Sequence, residues 1–108
     1  MCGLFGIIRR TDAETPSAVL LQESARLLLH RGPDAQGHHA GPGVGLAHTR
    51  LSFVDVDARA NQPFWDASRR YCLLFNGEIY NFRELRVPLE RNGVEFRTGS
   101  DTEVLLQC

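Results

Sequence analysis

The sequence predicts an α+β domain, because segments with the apolar pattern of β-strands alternate with segments of helical periodicity. Residues 3–8, 44–51 and 71–75 are three short apolar or alternating runs of strand character. Apolar residues at helical spacing follow the first run, and two later segments begin with helix-capping patterns. The chain has 108 residues, 43% of them hydrophobic, which is the composition of one modest globular domain.

Charge and cysteine content argue against several classes of protein. The 12 basic and 13 acidic residues are scattered, so no basic patch for nucleic acid is expected. The first thirty residues contain no apolar segment long enough for a signal peptide or a membrane span. Three widely spaced cysteines, at 2, 72 and 108, do not make a disulfide framework, and they favour a reducing cytoplasm.

The first strand would fix the position of Cys2. Residues 3–8 are apolar and end at Arg9-Arg10, which predicts a buried strand with Cys2 at its leading end. If Met1 is removed, Cys2 carries a thiol and a free α-amine on one carbon. The amine can then take the thiol proton, so one residue would supply both nucleophile and base. Cys2 alone fits an inert structural thiol better.

A helix is predicted to follow, and then a loop. Thr15 is the expected cap, Pro16 lies in the first turn, and Gly32-Pro33 ends the helix. Its apolar face comprises Ala18, Leu21, Ala25 and Leu28, widened by Leu20, Leu27 and Leu29. The loop at 30–37 could shape a site wall or order a neighbouring strand, but its composition favours a plain surface turn.

The strand at 44–51 carries His48 and Arg50 on one face. An arginine at a strand end can point its guanidinium into a cleft, where it would bind a carboxylate bidentately. An arginine that simply reaches the surface is at least as common. Residues 51–56 are expected to form a loop and a short strand, and the aromatic pair Phe64-Trp65 is expected to pack in the core or as a lid.

Asn76-Gly77 follows the apolar strand at 71–75 and has two interpretations. Asn-Gly after a strand is typical of a β-hairpin turn, which is favoured when the pair is taken alone. Alternatively, an asparagine amide beside a glycine N–H at the end of a rigid strand makes an oxyanion hole.

The last third predicts two helices separated by a brief strand at 94–96. A capping box at 81–84 begins one helix, in which Pro88 predicts a kink or a late start, and Gly93 ends it. A second capping box at 100–103 begins the other, which has about one turn before the sequence ends. The chain is therefore expected to be a fragment of a longer protein.

Six stretches together resemble the class II glutamine amidotransferase domain, which has the N-terminal nucleophile hydrolase fold. Within that class the chain is most similar to the N-terminal part of the asparagine synthetase (glutamine-hydrolysing) family. The stretches occur in the family's order: MCGLFG (1–6), HRGPD (30–34), HTRLS (48–52), QP (62–63), NGEIYN (76–81) and SDTE (100–103).

The resemblance implies a four-layer α/β/β/α sandwich, of which 1–108 would be only the N-terminal part. The partial glutaminase domain would be truncated at its C-terminal end, and the synthetase domain would be absent. In that family the pocket binds L-glutamine and hydrolyses its side-chain amide, and the ammonia serves ATP-dependent asparagine synthesis from aspartate.

The resemblance also implies roles for individual residues. Cys2 would be the nucleophile, and Asn76 and Gly77 would hold the oxyanion. Arg50 would bind the α-carboxylate of glutamine. The α-ammonium would be bound by Asp101 with Glu78. The pocket lining would include the backbone of Leu51, Ser52, Phe53 and Val54.

No metal or cofactor is implied for the glutaminase half, whereas ATP and magnesium would bind in the synthetase domain. The implied partners are L-glutamine, that C-terminal synthetase domain and a second copy in a homodimer, with no nucleic acid or membrane. Three alternatives stay open: an inactive truncated fragment or interaction piece, an amidotransferase for a different acceptor carboxylate, and a small metal-binding module.

Overall fold

A computed structural model describes residues 1–10 and 14–108 of the chain. The α+β class is confirmed, with two antiparallel sheets and three α-helices among these residues. The elements in order are β1 (Gly3–Ile8), α1 (Ala18–Leu27), β2 (Ala35–Gly41), β3 (Val44–Arg50), a 3₁₀ turn (Ala58–Ala60), β4 (Phe64–Trp65), β5 (Cys72–Leu73), α2 (Phe82–Arg91) and α3 (Asp101–Gln107). None of the helices described is long and apolar enough to cross a membrane.

Strand β3 is the centre of the larger sheet, whose order is β1-β3-β2. It pairs with β1 from Gly3↔Thr49 to Ile8↔Val44, and with β2 along its whole length. A central strand is covered by neighbours on both edges, and the last four residues of β3 are all buried. Arg50 is only 7% exposed, so the interpretation that it merely reaches the surface is wrong.

Helix α1 packs Leu21 and Ala25 against Ala47 of β3 to form the core of this half. The helix begins two residues later than predicted, because the cap is Ser17, whose Oγ accepts a hydrogen bond from the Leu20 N–H at 3.2 Å. It also ends earlier, at Leu27. The predicted widening of the apolar face is wrong, since Leu20 and Leu27 are 41% and 76% exposed.

Strand β2 was not predicted, because its sequence AQGHHAG lacks the β-branched and aromatic residues that favour strands. The expected loop therefore ends at Asp34, where β2 begins to pair with the central strand. His38 is exposed, whereas His39 packs edge-to-face against Trp65 with ring centroids 4.8 Å apart.

The smaller sheet contains only β4 and β5, with Trp65 opposite Cys72. Phe64 is 3% exposed, as expected of a core residue. The strand predicted at 71–75 is shortened to two residues, and no strand among the described residues follows Asn76-Gly77. The hairpin interpretation of this pair is therefore wrong, as are the strands predicted within 51–56 and at 94–96.

Helices α2 and α3 begin where the capping patterns predicted. Within the described structure the Asn81 side chain makes no capping hydrogen bond, and α2 runs from Phe82 through Pro88, so a late start is wrong. In α3 the Ser100 Oγ accepts from the Glu103 N–H at 3.2 Å. The fully buried Glu103 carboxylate in turn accepts from the Thr98 N–H at 2.7 Å. This anchors the first turn of α3, which carries Asp101.

Candidate active site

An open cavity of about 370 Å³ lies where the start of β1, the end of β3, the segment after β5 and the start of α3 meet. The residues lining it include every predicted site residue except Ser52. Ser52 lines a neighbouring hollow instead, and the Ser52 N–H donates to Asp34 Oδ2 at 2.7 Å. The structure thus brings nine of the ten predicted residues to one place, while their chemical roles stay predictions.

Cys2 is held at the end of the central strand. The Leu51 N–H donates to Cys2 Sγ at 3.3 Å, and the thiol lies 3.8 Å from the Leu51 carbonyl oxygen. The Cys2 carbonyl oxygen accepts from Arg31 Nε at 3.0 Å. The sulfur and the backbone of Cys2 are therefore both positioned by residues far away in the sequence.

Gly3 allows the close packing that places Cys2. Its N–H donates to Thr49 Oγ1 at 3.1 Å, and that hydroxyl donates to the Leu28 carbonyl at 3.0 Å. A Cβ on Gly3 would lie 2.6 Å from Thr49 Oγ1 and 2.8 Å from Leu28 Cβ. A larger residue would therefore push the start of β1 away from both β3 and the end of α1.

The loop at 30–34 supports both Cys2 and Arg50, so it is not a plain surface turn. A Cβ on Gly32 would lie 2.5 Å from the Thr49 carbonyl group, which shows how closely this loop lies on β3. The Asp34 N–H donates to the Arg50 carbonyl at 3.0 Å. The interpretation that this segment orders a neighbouring strand is confirmed.

The Arg50 guanidinium is oriented by neutral oxygen atoms. Nη1 donates to Asn61 Oδ1 at 2.8 Å and to the Asp57 carbonyl at 3.0 Å, and Nη2 donates to the Asp55 carbonyl. Arg50 forms no ion pair with any of the residues described. A buried cation whose charge is not neutralised favours an anionic ligand.

Asp101 supplies the opposite charge from a different element. It is the first residue of α3, it is 6% exposed, and its Oδ2 accepts from the Ile79 N–H at 3.0 Å. No cation of the described chain forms an ion pair with it. Glu78 also lines the cavity but is exposed. One buried cation and one buried anion beside the same cavity suit a zwitterionic ligand.

Asn76 and Gly77 lie on the cavity wall directly after Phe75. Asn76 is half-buried and Gly77 is exposed. The Phe75 ring lies over Gly77, since a Cβ on this glycine would come within 2.7 Å of two ring carbons. The amide of Asn76 and the N–H of Gly77 thus border the same space as Cys2.

Sequence reasoning gave no role to several residues of the wall, among them Gln62 and Thr102. The only signal for Gln62 was the two-residue stretch QP, and a dipeptide does not reveal which distant groups its side chain contacts. In the part of the chain that the structure describes, no group of three or more histidine, cysteine, aspartate or glutamate residues is arranged to hold a metal ion.

His48 lies two residues before Arg50 in β3 and is 1% exposed. The pKa of its imidazole is lowered to about 4, mainly because burial disfavours the charged ring. The Phe75 backbone raises this pKa, and the nearby positive charge of Arg50 lowers it. The ring lies near the Phe75 backbone, but neither ring nitrogen forms a hydrogen bond of normal geometry with any of the described residues. His48 is therefore neutral in the folded protein near neutral pH.

The His48 pKa predicts that the protein loses stability in mild acid. The unfolded chain takes up a proton near pH 6.5, whereas the folded protein does so only near pH 4. The free energy of unfolding should therefore fall as the pH is lowered between these values, by about 3 kcal/mol in total. Denaturant titrations from pH 7 to pH 4.5 would measure this slope. His48→Gln should reduce it and His38→Gln, at an exposed site, should not; an equal slope in all three proteins would contradict the prediction.

Comparison with known proteins adds an independent finding. The model of a family described as a glutamine amidotransferase domain matches residues 1–108. The chain is 42% identical over 108 residues to asparagine synthetase [glutamine-hydrolyzing] 1 of Bacillus subtilis (strain 168), covering 98% of this chain and 17% of the relative. It is 45% identical over 107 residues to asparagine synthetase B [glutamine-hydrolyzing] of Escherichia coli (strain K12), covering 98% and 19%. The chain thus spans less than a fifth of the length of these relatives.

Proposed function

The chain belongs to the glutamine amidotransferase domain family, and on that premise we propose that its cavity hydrolyses the side-chain amide of L-glutamine to L-glutamate and ammonia. The observation that carries this proposal is the convergence of Cys2, Arg50 and Asp101 on one cavity. The thiol supplies a nucleophile, and the two buried charges match the α-carboxylate and α-ammonium of a free amino acid.

In the proposed reaction, Cys2 Sγ attacks the amide carbon of glutamine. The α-amine of Cys2, freed by removal of Met1, accepts the thiol proton and returns it to the departing nitrogen. The C–N bond breaks, ammonia leaves, and a thioester remains on Cys2. Water then attacks the thioester, which yields glutamate and the free thiol. Met1 is 71% exposed, so it is accessible for removal.

The other cavity residues bind the substrate and stabilise the transition state in this proposal. Arg50 binds the α-carboxylate, and Asp101 with Glu78 binds the α-ammonium. The Asn76 amide and the Gly77 N–H donate to the oxyanion that forms when sulfur attacks, where each donor is worth roughly 10²–10³ in rate. The backbone along 51–54 lines the pocket. Holding the substrate at both charged ends places its amide carbon near the thiol.

The names of the relatives support a wider proposal for the complete protein, in which the ammonia is used for asparagine synthesis from aspartate. That step would need ATP and magnesium. Both would bind in a C-terminal synthetase domain of the complete protein. The four-layer sandwich, a homodimer and a cytoplasmic location belong to the same proposal. A different acceptor carboxylate is the second candidate, because the cavity contacts only the ammonia donor.

The test is an isotope experiment on the complete protein with L-glutamine labelled with ¹⁵N at the side-chain amide. We expect labelled ammonia and unlabelled glutamate in equal amounts. When aspartate, ATP and magnesium are added, we expect labelled asparagine. D-glutamine, which inverts the positions of the two charged groups, is the matched control and should not react. No glutamate from L-glutamine would overturn the glutaminase proposal, and glutamate without asparagine would favour another acceptor.

A further inference from the structure

The segment that carries Asn76 and Gly77 has no strand partner in the described structure, yet it is attached at both ends. Strand β5 ends at Leu73, and α2 begins at Phe82. Backbone groups that leave a sheet and become buried need other hydrogen-bond partners, since an unpaired N–H or C=O is costly. Two side chains supply these partners, one before Asn76 and one after Glu78.

Gln62 supplies the first attachment. Its Oε1 accepts from the Phe75 N–H at 2.5 Å, and its Nε2 donates to the Phe75 carbonyl at 3.2 Å. One side-chain amide thus makes the pair of hydrogen bonds that a neighbouring strand would make. Gln62 is 5% exposed, so these bonds are shielded from competing water.

The same side chain connects this segment to α3. Gln62 Nε2 also donates to Thr102 Oγ1, at 3.4 Å. Asp101, the neighbour of Thr102, accepts from the Ile79 N–H at 3.0 Å and forms the second attachment. The three residues between Phe75 and Ile79 are therefore suspended between two anchors that both lead to the first turn of α3.

From this geometry we infer that Gln62 is a positioning residue, which sets the placement of the Asn76 amide and the Gly77 N–H by fixing the Phe75 backbone. The inference rests on the proposed glutamine hydrolysis. The donors of an oxyanion hole must be placed before charge develops, and a displacement of about 1 Å lowers the rate by ~10²-fold. Gln62 acts on the transition state through Phe75, whereas Arg50 and Asp101 would act on substrate binding.

The test compares Gln62→Glu with Gln62→Met in the complete protein. Glutamate preserves the size and the acceptor but loses the donor to the Phe75 carbonyl; methionine loses both hydrogen bonds. We expect kcat for glutamine hydrolysis to fall about 10- to 100-fold in each, with KM for glutamine within about threefold of the unchanged protein.

The pH dependence distinguishes the two variants. When protonated, a buried glutamic acid can donate again, and burial raises its pKa. The activity of Gln62→Glu relative to the unchanged protein should therefore recover as the pH falls from 8 to 6, and that of Gln62→Met should not.

Amide hydrogen exchange at Phe75 gives a readout that does not depend on catalysis. We expect exchange to be about tenfold faster in Gln62→Met than in the unchanged protein, because the N–H loses its acceptor. Leu21→Ala, which opens a cavity in the core beside α1, is the control for general destabilisation and should lower neither kcat nor this protection to the same extent.

The outcomes separate this inference from the proposed function. If the unchanged protein releases no ammonia, the proposed function fails, while Phe75 exchange still decides whether Gln62 anchors the segment. Equal kcat losses in Gln62→Met and Leu21→Ala, unchanged exchange at Phe75, or a loss confined to KM would each overturn the positioning role.

Discussion

Replacing Cys2 with alanine should abolish glutamine hydrolysis, with a loss in kcat of about 10⁴-fold or more. The reason is that no thioester can form without the sulfur, and water is a much weaker nucleophile than a thiolate. Because the hydrogen bonds of Sγ among the described residues involve only the Leu51 backbone, the fold should survive the change. Steady-state release of ammonia from glutamine measures the loss, and calorimetry measures glutamine binding, which should persist.

The chain contains its own controls for this experiment. Cys72 is a half-buried free thiol in β5, and Cys108 is an exposed one. Cys72→Ala and Cys108→Ala remove a sulfur elsewhere and should leave hydrolysis within about twofold. Activity above a tenth of the original value in Cys2→Ala would refute the assignment of the nucleophile.

The second large effect is expected from Arg50→Met, which removes the one buried cation found beside the cavity in the described residues. We expect KM for glutamine to rise about 10²-fold or more, since the loss of one partner from a buried charge pair is worth roughly 2–5 kcal/mol. Without the positive charge of Arg50, the negative charges of Glu78 and Asp101 would also repel the substrate carboxylate. Steady-state kinetics with glutamine would measure the change.

A substrate analogue identifies which part of glutamine Arg50 contacts. Glutaminamide has a neutral carboxamide in place of the α-carboxylate, so the unchanged protein should prefer glutamine to it, and Arg50→Met should lose that preference. Arg83→Met, at an exposed position on α2, is the matched control and should keep it. A preserved preference in Arg50→Met would show that the carboxylate is bound elsewhere.

Local sequence patterns predicted the elements whose side chains decide their own structure. The alternation in β3 and the capping serine of α3 are such cases, since each depends on neighbours within a few residues. Strand β2 escaped prediction because it forms by pairing with β3 and has little β-propensity of its own. The cap of α1 differs from the prediction because Thr15 and Ser17 are both good caps, so the local pattern does not choose between them; in the structure Ser17 is the cap.

The candidate site shows the same division between local and distant causes. The identities of Cys2, Arg50 and Asp101 could be singled out from stretches that match a family. The contacts that hold them could not, because Cys2 meets Leu51 across 49 residues and Gln62 meets Thr102 across 40. Only the folded chain reveals that a glutamine side chain stands in for a strand, or that a turn at 30–34 supports the thiol.

The direct pairing of β1 with β3 bears on how long the side chain of a bound amino acid must be for its amide to reach Cys2. The strand that begins after Cys2 is hydrogen-bonded to the strand that ends at Arg50, so the ladder fixes the backbone next to the thiol relative to the backbone that carries the guanidinium. Neither backbone segment can shift along the other without breaking this ladder. Asparagine has one methylene fewer than glutamine, so if Arg50 binds the α-carboxylate as proposed, the amide carbon of asparagine would stop short of the sulfur. An enzyme of this design could work beside a pool of asparagine without degrading it.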